Sequence, residues 1–497
     1  MSSARGGILG KLAGQTAIYG LSTVVGRLLN YLLVPLYTYQ FTDPGDFGVV
    51  TEFYAYASFL NVVLTYGMET AFFNFSAKRD RSPAVYSTAL LSLGLSTALF
   101  LAAITLNAQP LAELLRYPAH AEYVLWMAWV IGLDALTAIP FARLREQQRA
   151  GRFALLKILN ILVNVGGNLL FLGLGKWAFE SAAVPGWLAW ARALYDPQIG
   201  IGYVFIANFV ASAATLLLLL PEFLAARARP DPGLLRQMLA YALPLLLAGL
   251  AGMVNETMDR ILLKYLLPAE VAMRELGIYG ACYKISILMS IFIQAFRYAA
   301  EPFFFAQHRE ADARTQYALV MRWFVVACAF IFLAVMANIA WVQYFVGASY
   351  RAGLDVVPVL LLANLCLGVF FNLSIWYKLT EQTRFGTYLT LWGAAVTLAL
   401  NFWWIPRIGY MGAAWATLIC YASMAVWSYL LGQKHFPVPY DLKRLLGYPL
   451  LALTLYACLR RVDGLSTGAT LAVGNGLLAC FAAIVVVLER PRRRAAA

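Results

Sequence analysis

Charged residues are scarce in this chain of 497 residues: Asp, Glu, Lys and Arg make up 13% of it, whereas 62% is hydrophobic and the mean hydropathy is +0.69. A soluble globular protein carries about 25% charged residues, so this composition excludes one. The sequence also lacks the ten-residue alternating segments of an outer-membrane barrel, and backbone groups in lipid need internal hydrogen bonds. The composition therefore predicts an all-α integral membrane protein.

Residues that commonly carry chemistry are also few. The three histidines are dispersed in predicted loops without metal-ligand spacing, and the six cysteines stand singly in apolar segments. We expect these cysteines to act as small hydrophobic residues, forming neither disulfides nor metal sites. No Walker, Rossmann or nucleophile-elbow motif is found. We therefore expect no cofactor, no metal site, no ATP coupling within the chain and no enzymatic activity.

What the chain does have is long apolar segments. About twenty apolar residues in a helix cross the roughly 30 Å hydrocarbon core of a bilayer. We predict about fourteen such segments, near residues 13–38, 48–75, 83–107, 121–141, 154–175, 199–221, 239–266, 277–301, 316–346, 355–377, 386–404, 409–431, 445–460 and 466–488. The first is too long for a signal peptide and lacks a small-residue cleavage site, so we expect an uncleaved signal-anchor.

The net charge of +13 is distributed unevenly between the predicted loops. Lys and Arg in alternate loops number 23 on the side of residue 1 and 8 on the opposite side. This positive-inside bias predicts a multi-pass protein of the cell inner membrane with both termini in the cytoplasm. We expect the clustered cations to contact anionic membrane lipids, and we expect no binding to nucleic acid.

Short motifs recur in the same order in the two halves of the chain. The pairs are Glu146-Gln147 with Glu381-Gln382 at an offset of 235 residues, Asp46-Phe47-Gly48 with Glu275-Leu276-Gly277, and Ile199-Gly200 with Ile408-Gly409 at an offset of 209 residues. A repeat of six segments keeps the same orientation, so its copies should be related by a pseudo-two-fold axis along the membrane normal. This predicts two six-helix lobes, 1–225 and 226–432, around a central cavity, with two further helices and a basic cytoplasmic tail in 433–497.

Several cations lie inside the apolar segments. Arg27 is the only charged residue in 14–39, and a cation at bilayer depth costs a few kcal/mol unless it has a partner or a task. We interpret these cations and nearby amides as a cavity for an anionic cargo. The candidate substrate-binding residues are Arg27, Asn30, Lys157, Asn164, Lys284 and Arg297.

Structural explanations remain open for some of these positions. The helical stripe that joins Lys157 to Asn160, Asn164 and Asn168 can equally lock its helix to a neighbour. Arg297 and Glu301 are spaced to pair at i,i+4. Arg260 has carboxylates beside it, so internal neutralisation is the expected role of that cation.

Three carboxylates also fall inside apolar segments: Glu69, Asp134 and Asp259. A desolvated carboxylate can bind a proton or Na+ in exchange for movement of the cargo, so these are candidates for ion coupling. The alternative for each is neutralisation by a nearby cation.

Three stretches carry a resemblance to a known family: residues 43–48, Asp259-Arg260, and the run 401–414 with its asparagine, proline and Gly-Ala-Ala pattern. With them the chain resembles the MOP exporter superfamily in its polysaccharide transporter branch, the Wzx-type oligosaccharide flippases. The resemblance implies a MATE-like, V-shaped, alternating-access carrier. It would move polyprenyl-pyrophosphate-linked sugars to the outer leaflet for O-antigen, exopolysaccharide or capsule synthesis, with glycosyltransferases and a polymerase as partners.

Other functions stay open alongside this one. Drug-exporting relatives tend to have a carboxylate in the first helix, where this chain has Arg27, so a MATE-like cation-coupled drug exporter is less favoured. Lipid II flippases of the same superfamily also line their cavity with arginines. A membrane glycan polymerase is disfavoured because the loops are short; the longest, 176–198, contains only Glu180 and Asp196 as acids.

Overall fold

The computed structural model describes residues 25, 26, 28–307, 310, 312–461 and 466–490. Within these ranges the regular structure is entirely helical. We number the α-helices in chain order: α1 Leu33–Gln40, α2 Pro44–Thr65, α3 Met68–Lys78, α4 Pro83–Leu106, α5 Ala108–Leu114, α6 Ala121–Glu146, α7 Ala150–Asn168, α8 Lys176–Glu180, α9 Gly202–Leu218, α10 Leu220–Leu224, α11 Pro232–Leu266, α12 Ala269–Gln307, α13 Ala313–Ala337, α14 Ile339–Val342, α15 Val356–Leu373, α16 Ile375–Leu379, α17 Arg384–His435, α18 Leu442–Arg460 and α19 Thr467–Glu489.

Eleven stretches of this structure are long and apolar enough to cross a membrane, which confirms the all-α multi-pass fold. Each predicted segment from the second to the fourteenth coincides with helix. The sixth corresponds to α9, which at 17 residues is shorter than the others. Most of the first segment lies outside the described residues, so the number fourteen stays a prediction.

The helix α17, 52 residues long, is a hairpin of two antiparallel helices. The chain leaves helical geometry at Ile408 and Gly409, where Gly409 has φ of 58°. Residues far apart in the sequence then meet: the Cys420 thiol donates to the Gly393 carbonyl at 3.4 Å, and the Trp392 and Trp427 rings lie 5.6 Å apart. The eleventh and twelfth predicted segments are therefore the two arms of this hairpin.

Two turns share a positive φ across the proposed duplication. Gly200 and Gly409, paired at an offset of 209, both have positive φ, 49° and 58°, which glycine adopts without steric cost. At the Glu-Gln motifs the left-handed residues are Gln148 and Glu381. These two left-handed residues are 233 positions apart, two fewer than the offset of 235 residues between the Glu-Gln motifs. The difference arises because α16 ends two residues before its motif begins, whereas α6 ends at the first residue of its motif.

Helix starts follow ordinary capping chemistry. Asp43 caps α2 by accepting a hydrogen bond from the Gly45 N–H at 2.9 Å, and Asp231 caps α11 by accepting one from the Gly233 N–H at 2.8 Å. In both cases proline follows the cap, where its fixed φ suits the first helical turn. These caps set where two of the long helices enter the predicted membrane region.

The chain divides into two compact units, Met1–Gly277 and Ile278–Ala497, with the boundary inside α12. In the first unit α9 packs against α6 and α7, and α11 packs along α2 and α3. In the second unit α13 packs against α15, α18 and α19, and α15 packs against α17. The predicted lobes divide the chain differently and stay a prediction.

Candidate functional site

The beginning of α2 crosses α12 at backbone contact within the first unit. A Cβ added to Gly48 would overlap the carbonyl oxygen of Met273, and one added to Gly277 would overlap the carbonyl oxygen of Pro44. Small residues at a crossing let two helices approach until their backbones touch. The two glycines therefore hold this end of α2 and α12 closer than any other residue type allows.

One turn further along α2, a buried ion pair joins α2 to α11. Glu52 is fully buried and Lys264 is 2% exposed, and the Lys264 ammonium lies 2.8 Å from both carboxylate oxygens of Glu52. The ammonium also donates to the Leu115 carbonyl at 2.5 Å. The Tyr117 hydroxyl donates to Glu52 at 2.5 Å, and its ring lies under the ammonium. Burying two charges is tolerable only when their hydrogen bonds are satisfied in this way.

The same end carries further polar contacts. The Tyr56 and Tyr265 hydroxyls share a hydrogen bond of 2.8 Å between α2 and α11. The pKa of Tyr117 is raised well above its ordinary value. Burial is the main cause, and the nearby Glu52 carboxylate is the next. Tyr117 therefore remains a protonated donor to Glu52 at physiological pH.

Sequence reasoning missed this cluster. It gave neither Glu52 nor Lys264 a role, because their 212-residue separation hides the contact. A usable signal was present: Glu52 and Lys264 are opposite charges at membrane depth, and each needs a partner.

The asparagine stripe of α7 has partners within the protein. Tyr37 of α1 donates to Asn168 at 2.9 Å, Asn168 donates to the Asn164 carbonyl at 2.8 Å, and Asn164 donates to Asn30 at 3.2 Å. Asn160 donates to the Thr215 hydroxyl at 2.9 Å. The stripe therefore ties α7 to the helical residues around α1 and to α9. Asn30 is exposed. Its role in binding substrate stays a prediction.

Lys157 extends the same face of α7 and lies over an aromatic ring. Its ammonium is 4.3 Å from the centre of the Phe141 ring. Asp134 of α6 accepts a hydrogen bond from the Ser212 hydroxyl at 2.8 Å and interacts electrostatically with Lys157. This pairs a candidate substrate cation with a candidate coupling carboxylate in one polar region of the first unit.

The other two coupling candidates are next to arginines. Glu69 forms an ion pair with Arg145, and Asp259, 3% exposed, lies 3.9 Å from the guanidinium of Arg260. These contacts are the neutralisation that the sequence offered as the alternative. Ion coupling by either carboxylate stays a prediction.

Arg27 and Lys284 are two further cations that the sequence predicts to bind substrate. Arg27 lies outside the described residues. Lys284 lies on α12 and is partly buried. Their role in binding substrate stays a prediction.

Arg297 lines a pocket between α12, α15 and α16 in the second unit. Its guanidinium stacks 4.0 Å from the centre of the Phe371 ring. Glu301 pairs with Lys378 at 2.5 Å, and the structure shows no ion pair between Glu301 and Arg297 among the residues it describes. The i,i+4 pair that the spacing allows is replaced by a pair in which Lys378, from a neighbouring helix, contacts that carboxylate.

The helices described above define a multi-pass membrane protein, and its fold is similar to that of two solved membrane proteins. The inward closed lipid II flippase MurJ is 13% identical, with a TM-score of 0.68 over 94% of this chain and 98% of that one. An inward-facing multidrug resistance MATE family transporter of the MOP superfamily is 13% identical, with a TM-score of 0.65 over 85% and 95%. These likenesses show the fold.

The family follows from the sequence itself. A family model described as "Polysaccharide biosynthesis protein" matches residues 12–308, and the chain belongs to this family. A sequence search of curated proteins gives no match. The predicted resemblance is confirmed in this family and in the fold shared with those two structures.

Proposed function

We propose that this protein is an alternating-access flippase that moves polyprenyl-pyrophosphate-linked oligosaccharide from the cytoplasmic to the outer leaflet of the inner membrane. The family and fold support a flippase or transporter connected with polysaccharide synthesis. The cargo would feed surface polysaccharide assembly, with glycosyltransferases supplying it and a polymerase consuming it.

The position of Arg297 is the observation that supports an anionic cargo. It is a cation inside a membrane-spanning helix, and within the described part of the chain no carboxylate forms an ion pair with it. A pyrophosphate that leaves water faces a large desolvation penalty, which an oriented guanidinium offsets through paired hydrogen bonds. The polyprenyl tail need not enter the protein, because it can stay in the bilayer while the headgroup crosses.

The contacts at the start of α2 fit the closed side of such a carrier. With both termini in the cytoplasm, as the charge bias predicts, the Gly48 and Gly277 crossing and the Glu52 and Lys264 pair lie at the extracytoplasmic end. Opening to that side requires these contacts to separate.

Two related functions use the same fold. A lipid II flippase also carries a pyrophosphate-linked sugar, and the fold likeness to MurJ supports it as the alternative. A cation-coupled drug exporter is disfavoured because Arg297 would repel cationic drugs. Asp134 is the carboxylate we propose for H+ or Na+ coupling, since its described hydrogen-bond partner is the neutral Ser212 and its electrostatic partner Lys157 is itself a candidate for binding the cargo.

The test is export of surface polysaccharide in cells whose own flippase gene is deleted. We expect the wild-type chain to restore export, and Arg27→Ala and Arg297→Gln to restore it poorly at normal protein abundance. Arg407→Gln is the matched control, because Arg407 also stacks on an aromatic ring, at 5.6 Å from the centre of the Trp403 ring. Failure of the wild-type chain to restore export with a panel of lipid-linked cargoes would overturn the proposal, as would normal export by both variants.

A further inference from the structure

The connection between α7 and α9 contains a short 3-10 helix, Gly186–Leu194. Such a helix has about three residues per turn, so residues three apart lie on the same side. One side contains apolar residues of which none is exposed: Leu188, Ala191 and Leu194. Another side carries Trp187 and Trp190, which are 76% and 55% exposed. We call this side, which also includes the exposed Ala193, the tryptophan side.

Contacts to the end of the preceding helical segment hold this helix in place. Arg192, its only charged residue, donates through the guanidinium to the Ala178 carbonyl at 3.1 Å and the Ser181 carbonyl at 2.9 Å. A Cβ added to Gly175 would lie 3.2 Å from the Leu194 Cβ, so this glycine permits the close approach of the two segments. The tryptophan side therefore projects from a fixed support, and it contains no charged residue.

The membrane-spanning stretch before this helix has a side that suits lipid. Ala150–Glu180 is long and apolar enough to cross a bilayer. Three exposed leucines recur there every seven residues, which is close to two helical turns: Leu155, Leu162 and Leu169. They lie roughly opposite Asn160 and Asn164, whose side chains form hydrogen bonds to other helical segments. The asparagine side is therefore occupied by protein, and the leucine side is the one that faces lipid.

Trp177 continues the leucine side to the end of this stretch. It is exposed and follows Leu169 by eight residues, because the π-helix Leu169–Gly175 has more residues per turn than an α-helix. The length of helix from Leu155 to Trp177 is about 30 Å, at roughly 1.5 Å per residue, which matches the thickness of the hydrocarbon core. We therefore expect Trp177, and the tryptophan side that follows it, where hydrocarbon gives way to headgroups.

The two indoles of the tryptophan side lack partners within the protein. In the described part of the chain, neither Trp187 nor Trp190 has a hydrogen bond or a ring contact with another residue. Tryptophan combines an apolar ring with one N–H donor, and it is enriched where acyl chains meet polar headgroups. The headgroup region satisfies both parts of the side chain, and it adjoins the leucine side directly.

We propose that the tryptophan side lies in the headgroup region of the adjoining leaflet and anchors the first unit at a fixed depth. The rings of Trp187 and Trp190 contact the first methylenes of the acyl chains, and their N–H groups donate to ester or phosphate oxygens of phospholipids. The charge bias predicts that this is the outer leaflet. The test of the anchor needs no cargo, so its failure and that of the flippase proposal are distinguishable.

The experiment measures the depth of a fluorescent dye in the full chain. Ala193→Cys, made without the exposed Cys458 and Cys480, carries an environment-sensitive dye on the tryptophan side while both tryptophans stay in place. The protein is placed in nanodiscs of phosphatidylethanolamine and phosphatidylglycerol with a nitroxide lipid, labelled either at the headgroup or at the end of an acyl chain. We expect the headgroup nitroxide to quench several-fold more strongly than the chain-end nitroxide, and iodide in the water to quench weakly.

The matched control is Asp196→Cys in the same connection, because a dye at this exposed and charged position should stay in water. Iodide should quench that dye more strongly than the dye at position 193, and the headgroup nitroxide should quench it less. Adding Trp187→Ala and Trp190→Ala to the position-193 protein should shift its dye toward the same water-like behaviour, because the anchoring rings are removed. If these alanine variants do not fold, the comparison of positions 193 and 196 still decides.

Two results would overturn the anchor. One is a dye at position 193 that behaves like the dye at position 196, with iodide the stronger quencher at both. The tryptophan side would then lie in water, where a soluble protein or a saccharide would be its partner. The other is stronger quenching at position 193 by the chain-end nitroxide, because the helix would then lie in the hydrocarbon core.

Discussion

Gly48 and Gly277, which the sequence pairs as equivalents in its predicted repeats, each contact the helix of the other in the same way. A Cβ on Gly48 would meet the carbonyl four residues before Gly277, and a Cβ on Gly277 would meet the carbonyl four residues before Gly48. The two contacts are reciprocal, which is consistent with the predicted duplication of these motifs.

Enlarging either glycine is expected to open this crossing. In Gly277→Ala the added methyl group overlaps backbone, which cannot rotate away, so α2 and α12 must separate. A cysteine at position 56, in a background without Cys458 and Cys480, should then react several-fold faster with an impermeant maleimide added outside the cell. Gly94→Ala is the control, because a Cβ there meets nothing within 4 Å. Equal labelling rates in all three proteins would contradict the close crossing.

Breaking the buried ion pair should be strongly destabilising. Glu52→Gln leaves the Lys264 ammonium buried without a countercharge, which typically costs about 3–5 kcal/mol. We expect a clear fall in the thermal unfolding midpoint in detergent, and partial recovery when Lys264→Met is added. Asp355→Asn is the matched control: it breaks an exposed pair with Arg460 and should cost less than about 1 kcal/mol. Similar midpoints for Glu52→Gln and Asp355→Asn would refute the buried pair.

Tyr117 should contribute stability that does not change between pH 6 and 9. Its pKa is raised, so it contributes its full stabilisation below the ordinary tyrosine pKa of about 10 and loses it only as pH rises further. Tyr117→Phe should cost about 1.5–3 kcal/mol, the worth of a hydrogen bond to a charged group, by the same amount at both pH values. A difference between wild type and variant that shrinks toward pH 9 would contradict the raised pKa.

Asp134 is expected to link transport to an ion gradient. In proteoliposomes, Asp134→Asn should remove the acceleration of cargo movement by an imposed proton or Na+ gradient, because the amide takes up no proton and has no negative charge to attract Na+. Glu69→Gln, which breaks the pair with Arg145, should keep the response to the gradient. The assignment to Asp134 fails if its variant responds to both gradients as the wild type does.

Hydropathy alone predicted the helices because bilayer thickness fixes their length, and even the α17 hairpin was anticipated as two segments. Helical spacing also predicted the polar face of α7. Helical spacing did not reveal that Asn168 accepts a hydrogen bond from Tyr37, because spacing shows which face of α7 is polar but not which residue contacts that face. The partners of Glu52 and Glu301 were missed for the same reason: each lies on another helix.

The central claim is that the cargo is recognised by its negative charge. The direct measurement compares, in proteoliposomes of the wild-type protein, the translocation of one oligosaccharide on two lipids, joined by pyrophosphate in one and by an uncharged linkage of similar length in the other. We predict that the pyrophosphate-linked form moves at least tenfold faster. Equal rates for the two forms would contradict it.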